Sequence, residues 1–180
     1  MTTPETHAHP RFSPCALGAW GDPQPLRELG LQVEVRRFPD ATRTAAEAAA
    51  AIGCDVSEIV KSLIFEAWGS PQAEGSGGGA LVLMDGSSRV DVQLVRRELG
   101  ASAVKRANAD LVREATGYAT GGVPPFGHRT RTRVPADRGV LDHSVVRAAA
   151  GTPHAVFPLD PKSLIAHAGA TLVDVRERTA

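Results

Sequence analysis

Eleven consecutive residues, Gly117-Tyr118-Ala119-Thr120-Gly121-Gly122-Val123-Pro124-Pro125-Phe126-Gly127, contain four glycines and two adjacent prolines. They follow a helix-like run, so regular structure must end there and give way to a fixed, irregular shape. Glycine permits positive φ and close backbone approach, whereas proline fixes φ and restricts the residue before it. The aromatic rings of Tyr118 and Phe126 can anchor the two ends in a core. That leaves Gly121 to Pro125 to present backbone donors to an anion or a carbonyl. A tight helix-to-strand connection would use the same residues.

The rest of the chain must supply the core that holds such a loop. At 180 residues, with 42% hydrophobic and 22% charged side chains, it is long enough for one domain, expected over residues 26–180 behind a lead-in over 1–25. Aromatics are only 4%, so Val, Leu, Ile and Ala must fill the interior. Twenty basic and twenty acidic residues leave no net charge, so any contact with nucleic acid must rest on a local patch. Cys15 and Cys54 lack the spacing of a disulfide framework or a zinc site. There is no apolar run near the length of a membrane span and no secretion signal, which points to a cytoplasmic protein without a membrane partner.

Along the chain, Leu26 to Gly30 reads as the end of a short helix and Val33 to Phe38 as a half-buried strand. Thr44-Ala45-Ala46-Glu47 has capping-box spacing and Gly53 closes the helix it opens. Ile59 to Phe65 is β-prone, Gly69 to Gly79 is a Gly/Ser-rich connector, and Ala80 to Met84 is the returning strand. Helices follow at Asp91 to Leu99 and from Asn108 or Asp110 through Ala115. Arg131 to Val134 alternates as a strand, and Arg147 to Thr152 with His154 to Phe157 reads as a strand pair across a Gly-Thr-Pro turn. Asp160-Pro161 starts a helix that stops at Gly169, and Leu172 to Val175 is a final strand. The pattern predicts an α+β domain around a mixed, mostly antiparallel sheet.

Several side chains are candidates for chemistry. Lys61 interrupts an apolar strand, which calls for a partner or a cleft, although a lysine snorkelling from a strand end reads the same. Lys61-Ser62 is not the end of a P-loop, since Val60 occupies the glycine position. Asp142-His143-Ser144 has the letters of a hydrolase triad without a nucleophile elbow, and sequence neighbours rarely converge on one atom. Asp142 alone fits a cap or a loop-orienting partner, His154 a cleft donor or an ordinary satisfied histidine, and Thr44 a helix cap or a pocket wall. His7-Ala8-His9 reads as a solvated tail or a metal pair. Arg129, Arg131, Arg133 and Arg138 crowd the residues after the loop, as a phosphate-backbone contact or a solvated strand face would.

Three segments in order, Thr44 to Leu63, Thr116 to Gly127 and Ala150 to Phe157, resemble the YbaK/prolyl-tRNA synthetase-associated editing domain over roughly residues 30 to 176. Gly121 and Pro125 match that family's G-x-x-x-P loop and Lys61 its lysine. The resemblance implies a free-standing aminoacyl-tRNA deacylase acting on a mischarged acceptor end, typically tRNA for proline carrying a smaller wrong amino acid. It implies no metal, no cofactor and no protein nucleophile, with an aminoacyl-tRNA synthetase as a further partner and no role for DNA. Lys61, Gly121 and Pro125 become the catalytic set. Thr44, Gly122, Val123, Pro124, Asp142, Gly151 and His154 become the substrate-binding set, and Arg129, Arg131 and Arg133 an RNA-backbone contact. The competing readings are a non-catalytic module that binds a tRNA end, a nucleotide or a synthetase, and a metal-dependent hydrolase using His143 or His154.

Overall fold

A computed structural model describes residues 30–31, 34–38, 44–70, 78–128 and 132–178. The expected lead-in over 1–25, the helix end before Gly30, the start of the strand at Val33, and Arg129 and Arg131 lie outside the described residues. So do His7, His9, Cys15 and most of the Gly/Ser-rich connector.

In chain order the elements are β1 (Arg36–Arg37), α1 (Ala45–Ile52), β2 (Val60–Trp68), β3 (Gly78–Asp85), α2 (Val92–Leu99), β4 (Ala103–Arg106), α3 (Ala109–Thr116), β5 (Pro135–Asp137), β6 (Val146–Ala149), β7 (Ala155–Leu159), α4 (Pro161–Ala168) and β8 (Thr171–Val173). Short 3-10 turns fill Val56–Glu58 and Arg138–Asp142. The helices start where their caps dictate. Thr44 and Glu47 form a reciprocal capping box, and Asp91, Asn108 and Asp160 accept from the first-turn amides of α2, α3 and α4. These side chains satisfy donors that the helix itself leaves orphaned.

The strands form two sheets where one was expected: a main sheet in the order β4-β2-β3-β5-β8 and a smaller one in the order β1-β7-β6. The pairs β2–β3, β2–β4, β6–β7 and β1–β7 are antiparallel, and β3–β5 and β5–β8 are parallel. A bridge between Ile59 and Arg147 stitches the two together. The architecture is therefore α+β, mixed and mostly antiparallel. Among the described residues no helix is long and apolar enough to cross a membrane.

The main sheet is covered on both faces, which is why β2 and β3 read as nearly unbroken apolar runs. On one face Val60, Ile64, Leu81 and Leu83 pack with Val112, Tyr118, Val123, Phe126 and Phe157. On the other, Phe65, Ala67, Val82 and Met84 pack with Val95 and Leu99 of α2. Lys61 pairs with Met84, and Ser62 with Leu83. Directly paired residues share a face, so the adjacent pair splits: Lys61 lies on the α2 side and Ser62 on the side of the glycine-proline loop.

One strand expectation is corrected. Of the strand expected over Arg131 to Val134, Arg131 lies outside the described residues and Arg133 makes an isolated bridge to Ala80, while the strand that follows is Pro135–Asp137. A proline can open a short strand, and it is Ala136, fully buried, that pairs with Leu83. Ala103–Arg106 was not expected as a strand. It is an edge strand that takes its place from β2 rather than from its own pattern.

Candidate active site

The loop is built outward from the end of α3. The Thr116 hydroxyl donates to the Val112 carbonyl at 2.6 Å and accepts from the Tyr118 amide at 3.0 Å, which turns the chain sharply off the helix. Tyr118 Oη donates to the Gly127 carbonyl at 3.2 Å, joining the two ends of the loop. Phe126 packs against Phe157, ring centroids 6.0 Å apart, at the centre of the core. Between these anchors Gly121 has φ 88°, a left-handed conformation that favours glycine. Gly122 seats the loop on the turn between β6 and β7, where a Cβ would stand 2.8 Å from both the carbonyl carbon and the Cα of Thr152.

Within the segment Gly121 to Pro125, the amides divide by what they can donate to. Pro124 and Pro125 carry no N–H, and the Gly122 N–H donates to the Ala119 carbonyl at 3.0 Å. The N–H groups of Gly121 and Val123 have no protein acceptor among the described residues. Val123 is only 5% exposed, and a buried residue with an unanswered amide is rare outside a binding site. Two N–H donors two residues apart, free of protein acceptors, are chemically suited to an oxyanion or a carbonyl oxygen.

The loop is braced by His128, whose Nε2 lies 2.6 Å from the Pro124 carbonyl oxygen and therefore carries the proton. Burial pushes the imidazole pKa below its ordinary 6.5, outweighing the Pro124 carbonyl, which favours the cation. The unfolded chain then takes up a proton before the folded one as pH falls. The stability that neutral His128 preserves is present above about pH 6.5 and declines as pH drops below it. Thermal denaturation followed against pH should show this acid-side loss, and His128→Gln, which keeps a donor but cannot titrate, should flatten it. An unchanged profile in that variant would remove His128 from the account.

On the other face of β2, the Lys61 ammonium donates to the Ser88 carbonyl. Burial holds its pKa below the ordinary lysine range; Asp85 works against that shift, and Arg106 and Arg89 add to it. Asp85 is 4% exposed. Its burial favours the neutral acid, but hydrogen bonds from Ser87 and Ser88 and the charge of Arg176 outweigh this and hold its pKa below the usual aspartate value.

Sequence reasoning passed over Ser62. Its Oγ is shielded from solvent and has no partner among the described residues, although it sits between Val60 and Ile64 on the apolar face that the loop covers. An unsatisfied hydroxyl in such a setting is disfavoured by itself, and the motif search that placed Ser62 in a failed P-loop gave no hint of it.

The other candidates divide. Gly151 and Thr152 form the turn under Gly122, and Thr152 Oγ1 accepts from the His154 amide at 3.1 Å. The backbone of His154 also accepts from Phe38 at 2.6 Å, and the residue is exposed. Thr44 is a helix cap; its neighbour Ala45 lies against Gly86 in the β3–α2 connection that also carries Ser88. Asp142 is exposed at the end of its 3-10 turn. Arg133 donates to the Leu99 and Glu98 carbonyls, both at 3.2 Å, as a clamp on the C-terminus of α2. Among the described residues no three His, Cys, Asp or Glu side chains come together as a metal-binding set.

Against this geometry, residues 39–166 match the family described as the aminoacyl-tRNA editing domain. The uncharacterised protein YwhH of Bacillus subtilis (strain 168) is 30% identical over 131 residues, 73% of this chain and 78% of that protein. Among solved structures, a proposed trans-editing enzyme for prolyl-tRNA synthetase superposes with a TM-score of 0.76 at 39% identity, covering 87% of this chain and 94% of the other. A hypothetical protein of known structure superposes with a TM-score of 0.75 at 32% identity, covering 86% and 97%.

Proposed function

The chain belongs to the aminoacyl-tRNA editing domain family, and from that premise we propose that it is a free-standing deacylase of mischarged tRNA, acting on tRNA for proline that carries a small non-cognate amino acid such as alanine or cysteine. The observation that carries this reading is the pair of unanswered amides at Gly121 and Val123, held in a loop whose ends are locked. An aminoacyl ester has the group they fit, a carbonyl oxygen that becomes an oxyanion when water adds.

In the proposed reaction water adds to the ester carbonyl, helped by the vicinal hydroxyl of the terminal ribose. Negative charge gathers on the carbonyl oxygen against the two N–H groups. The bond from the carbonyl carbon to the ribose oxygen then breaks, the proton from water passes to that oxygen, and a free amino acid and an uncharged tRNA leave. One well-placed donor of this kind contributes on the order of 10²–10³ in rate. Gly122, Pro124, Pro125 and Gly151 keep the donors in place. Thr44, Asp142 and His154 are exposed and are assigned contacts to the substrate outside the ester itself. Lys61, on the far face of β2, serves the phosphate of the substrate rather than its carbonyl.

The test is deacylation of alanyl-, cysteinyl-, seryl- and threonyl-tRNA by the purified protein, with and without a chelator, alongside Lys61→Ala. We expect chelator-resistant hydrolysis of one or two of these, reduced about 10²-fold or more in the variant, the scale of losing a charged contact that positions the substrate. A folded protein that hydrolyses none of them would leave a non-catalytic binding module as the function.

A further inference from the structure

Past Phe126 the donor loop ties back onto itself twice. Gly127 follows with φ 78°, a left-handed step that favours glycine, and its carbonyl accepts from the Tyr118 hydroxyl. The chain then brings His128 to the carbonyl of Pro124, four residues earlier. Pro124 is buried, and the imidazole N–H is the one group that answers its carbonyl among the described residues.

That carbonyl belongs to a stiff part of the loop. The rings of Pro124 and Pro125 fix their own φ, and each proline confines the residue before it, Val123 or Pro124, to extended backbone. Little torsional slack therefore separates the Pro124 carbonyl from the Val123 N–H, and a hold on the first is passed to the second. The Val123 N–H needs such a hold. It has no protein acceptor of its own among the described residues, so its direction is set by its neighbours. On the N-terminal side that neighbour is Gly122, seated on the backbone of Thr152.

We propose that His128 is a positioning residue for deacylation, supplying the hold on the C-terminal side: its Nε2–H, by fixing the Pro124 carbonyl, keeps the Val123 N–H aimed at the place where the oxyanion forms. This rests on the deacylase reading and deepens it. His128 touches no substrate and acts through Val123, Pro124 and Pro125. Burial and the Pro124 carbonyl are the two causes of its displaced pKa, so no charged side chain enters it, and the ring that meets the imidazole is Tyr118, with centroids 6.3 Å apart. Protonation places an unpaired charge in that setting, so acid should slacken the tie.

The test compares kcat, KM and melting temperature for the wild-type protein, His128→Phe and His128→Gln on whichever mischarged tRNA the wild type hydrolyses fastest. Phenylalanine keeps a ring against Tyr118 and loses the donor, whereas glutamine keeps a donor that cannot titrate. A misplacement of about 1 Å costs about 10²-fold, so a loop slackened by less should lose about 10-fold in kcat in His128→Phe, with KM unchanged. His128→Gln should recover most of that loss. The ratio of wild-type to His128→Gln rates, in which the pH dependence of ester hydrolysis itself cancels, should fall as pH drops through the folded imidazole pKa, below the ordinary 6.5. Amide NMR of the wild-type protein reads the same coupling without hydrolysis: the Val123 N–H resonance should move with the midpoint of the His128 ring. Equal kcat in the three proteins, or a Val123 resonance that ignores the His128 titration, overturns the positioning role. So does a loss of kcat that glutamine does not restore and that follows a fall in melting temperature, since His128 would then be packing alone. Hydrolysis of no mischarged tRNA by any of the three overturns the deacylase reading instead, and the Val123 resonance still decides whether His128 holds the donor.

Discussion

Replacing Gly122 by alanine is expected to cut deacylation by about 10²-fold or more, mostly in kcat, while the main sheet stays folded. The added methyl would stand 2.8 Å from the carbonyl carbon and Cα of Thr152 and 3.0 Å from its nitrogen. These are backbone atoms of a turn that is itself hydrogen-bonded, so nothing can rotate aside and the loop must lift by several tenths of an ångström. The adjacent residue is Val123, one of the two proposed donors. A donor aimed at a developing oxyanion loses most of its value when misplaced on that scale, and the loss of one such donor is worth 10²–10³ in rate. Overpacking of this kind also destabilises by about 1–3 kcal/mol, so single-turnover rates should be read beside melting curves. Gly121→Ala is the informative companion. Its cost is a left-handed backbone forced on an L side chain, about 1–2 kcal/mol, at an exposed position. Wild-type kcat in Gly122→Ala would mean that the loop is a connection and not a receptor.

Much of the scaffold of this site is legible in the chain because its signals are local. Thr44 with Glu47, Asp160 before Pro161, and Asn108 mark helix starts through hydrogen bonds spanning three residues, and the structure makes those bonds. The glycine-proline loop announces itself by composition. Anything that depends on pairing between distant strands is not legible. Ala-Val-Lys-Arg at 103–106 has no pattern of its own and becomes a strand because β2 offers it an edge. Pro135–Asp137 is three residues long, and its burial comes from β3 and β8 on either side.

The same limit governs the site. Lys61 and Ser62 are adjacent letters, and only the register with Met84 and Leu83 reveals that they serve opposite faces. Arg133 looked like one of an arginine stripe until the fold brought the carbonyls of Glu98 and Leu99 to it from 34 or 35 residues away. A donor such as the Val123 amide is invisible in a one-letter code, because what matters is the partner it lacks.

Arg176→Met is expected to destabilise the protein by about 2–4 kcal/mol at neutral pH, and the deficit should shrink as pH is lowered. The Arg176 guanidinium lies 3.3 Å from a carboxylate oxygen of Asp85 and 3.3 Å from one of Asp137, and these residues are only 4% and 3% exposed. Removing one member of a buried ion pair costs about 3–5 kcal/mol because the other charge is left without compensation. Arg176 is itself 43% exposed, so water screens part of that and lowers the expected loss to about 2–4 kcal/mol. The pH dependence follows from Asp85, whose folded pKa lies below the ordinary value of 3.8. Its contribution is present above that value and disappears as pH falls through the folded pKa. Without Arg176 the buried Asp85 carboxylate accepts a proton more readily, so acid relieves the variant first. Gly139 supplies the internal control, since a Cβ there would stand 1.6 Å from the Arg176 Nη2 and force the guanidinium out. Gly139→Ala should therefore be destabilising alone and far less so in the Arg176→Met background, with a coupling of about 1 kcal/mol or more from denaturant titrations of the four proteins. Additive stabilities would separate Gly139 from Arg176.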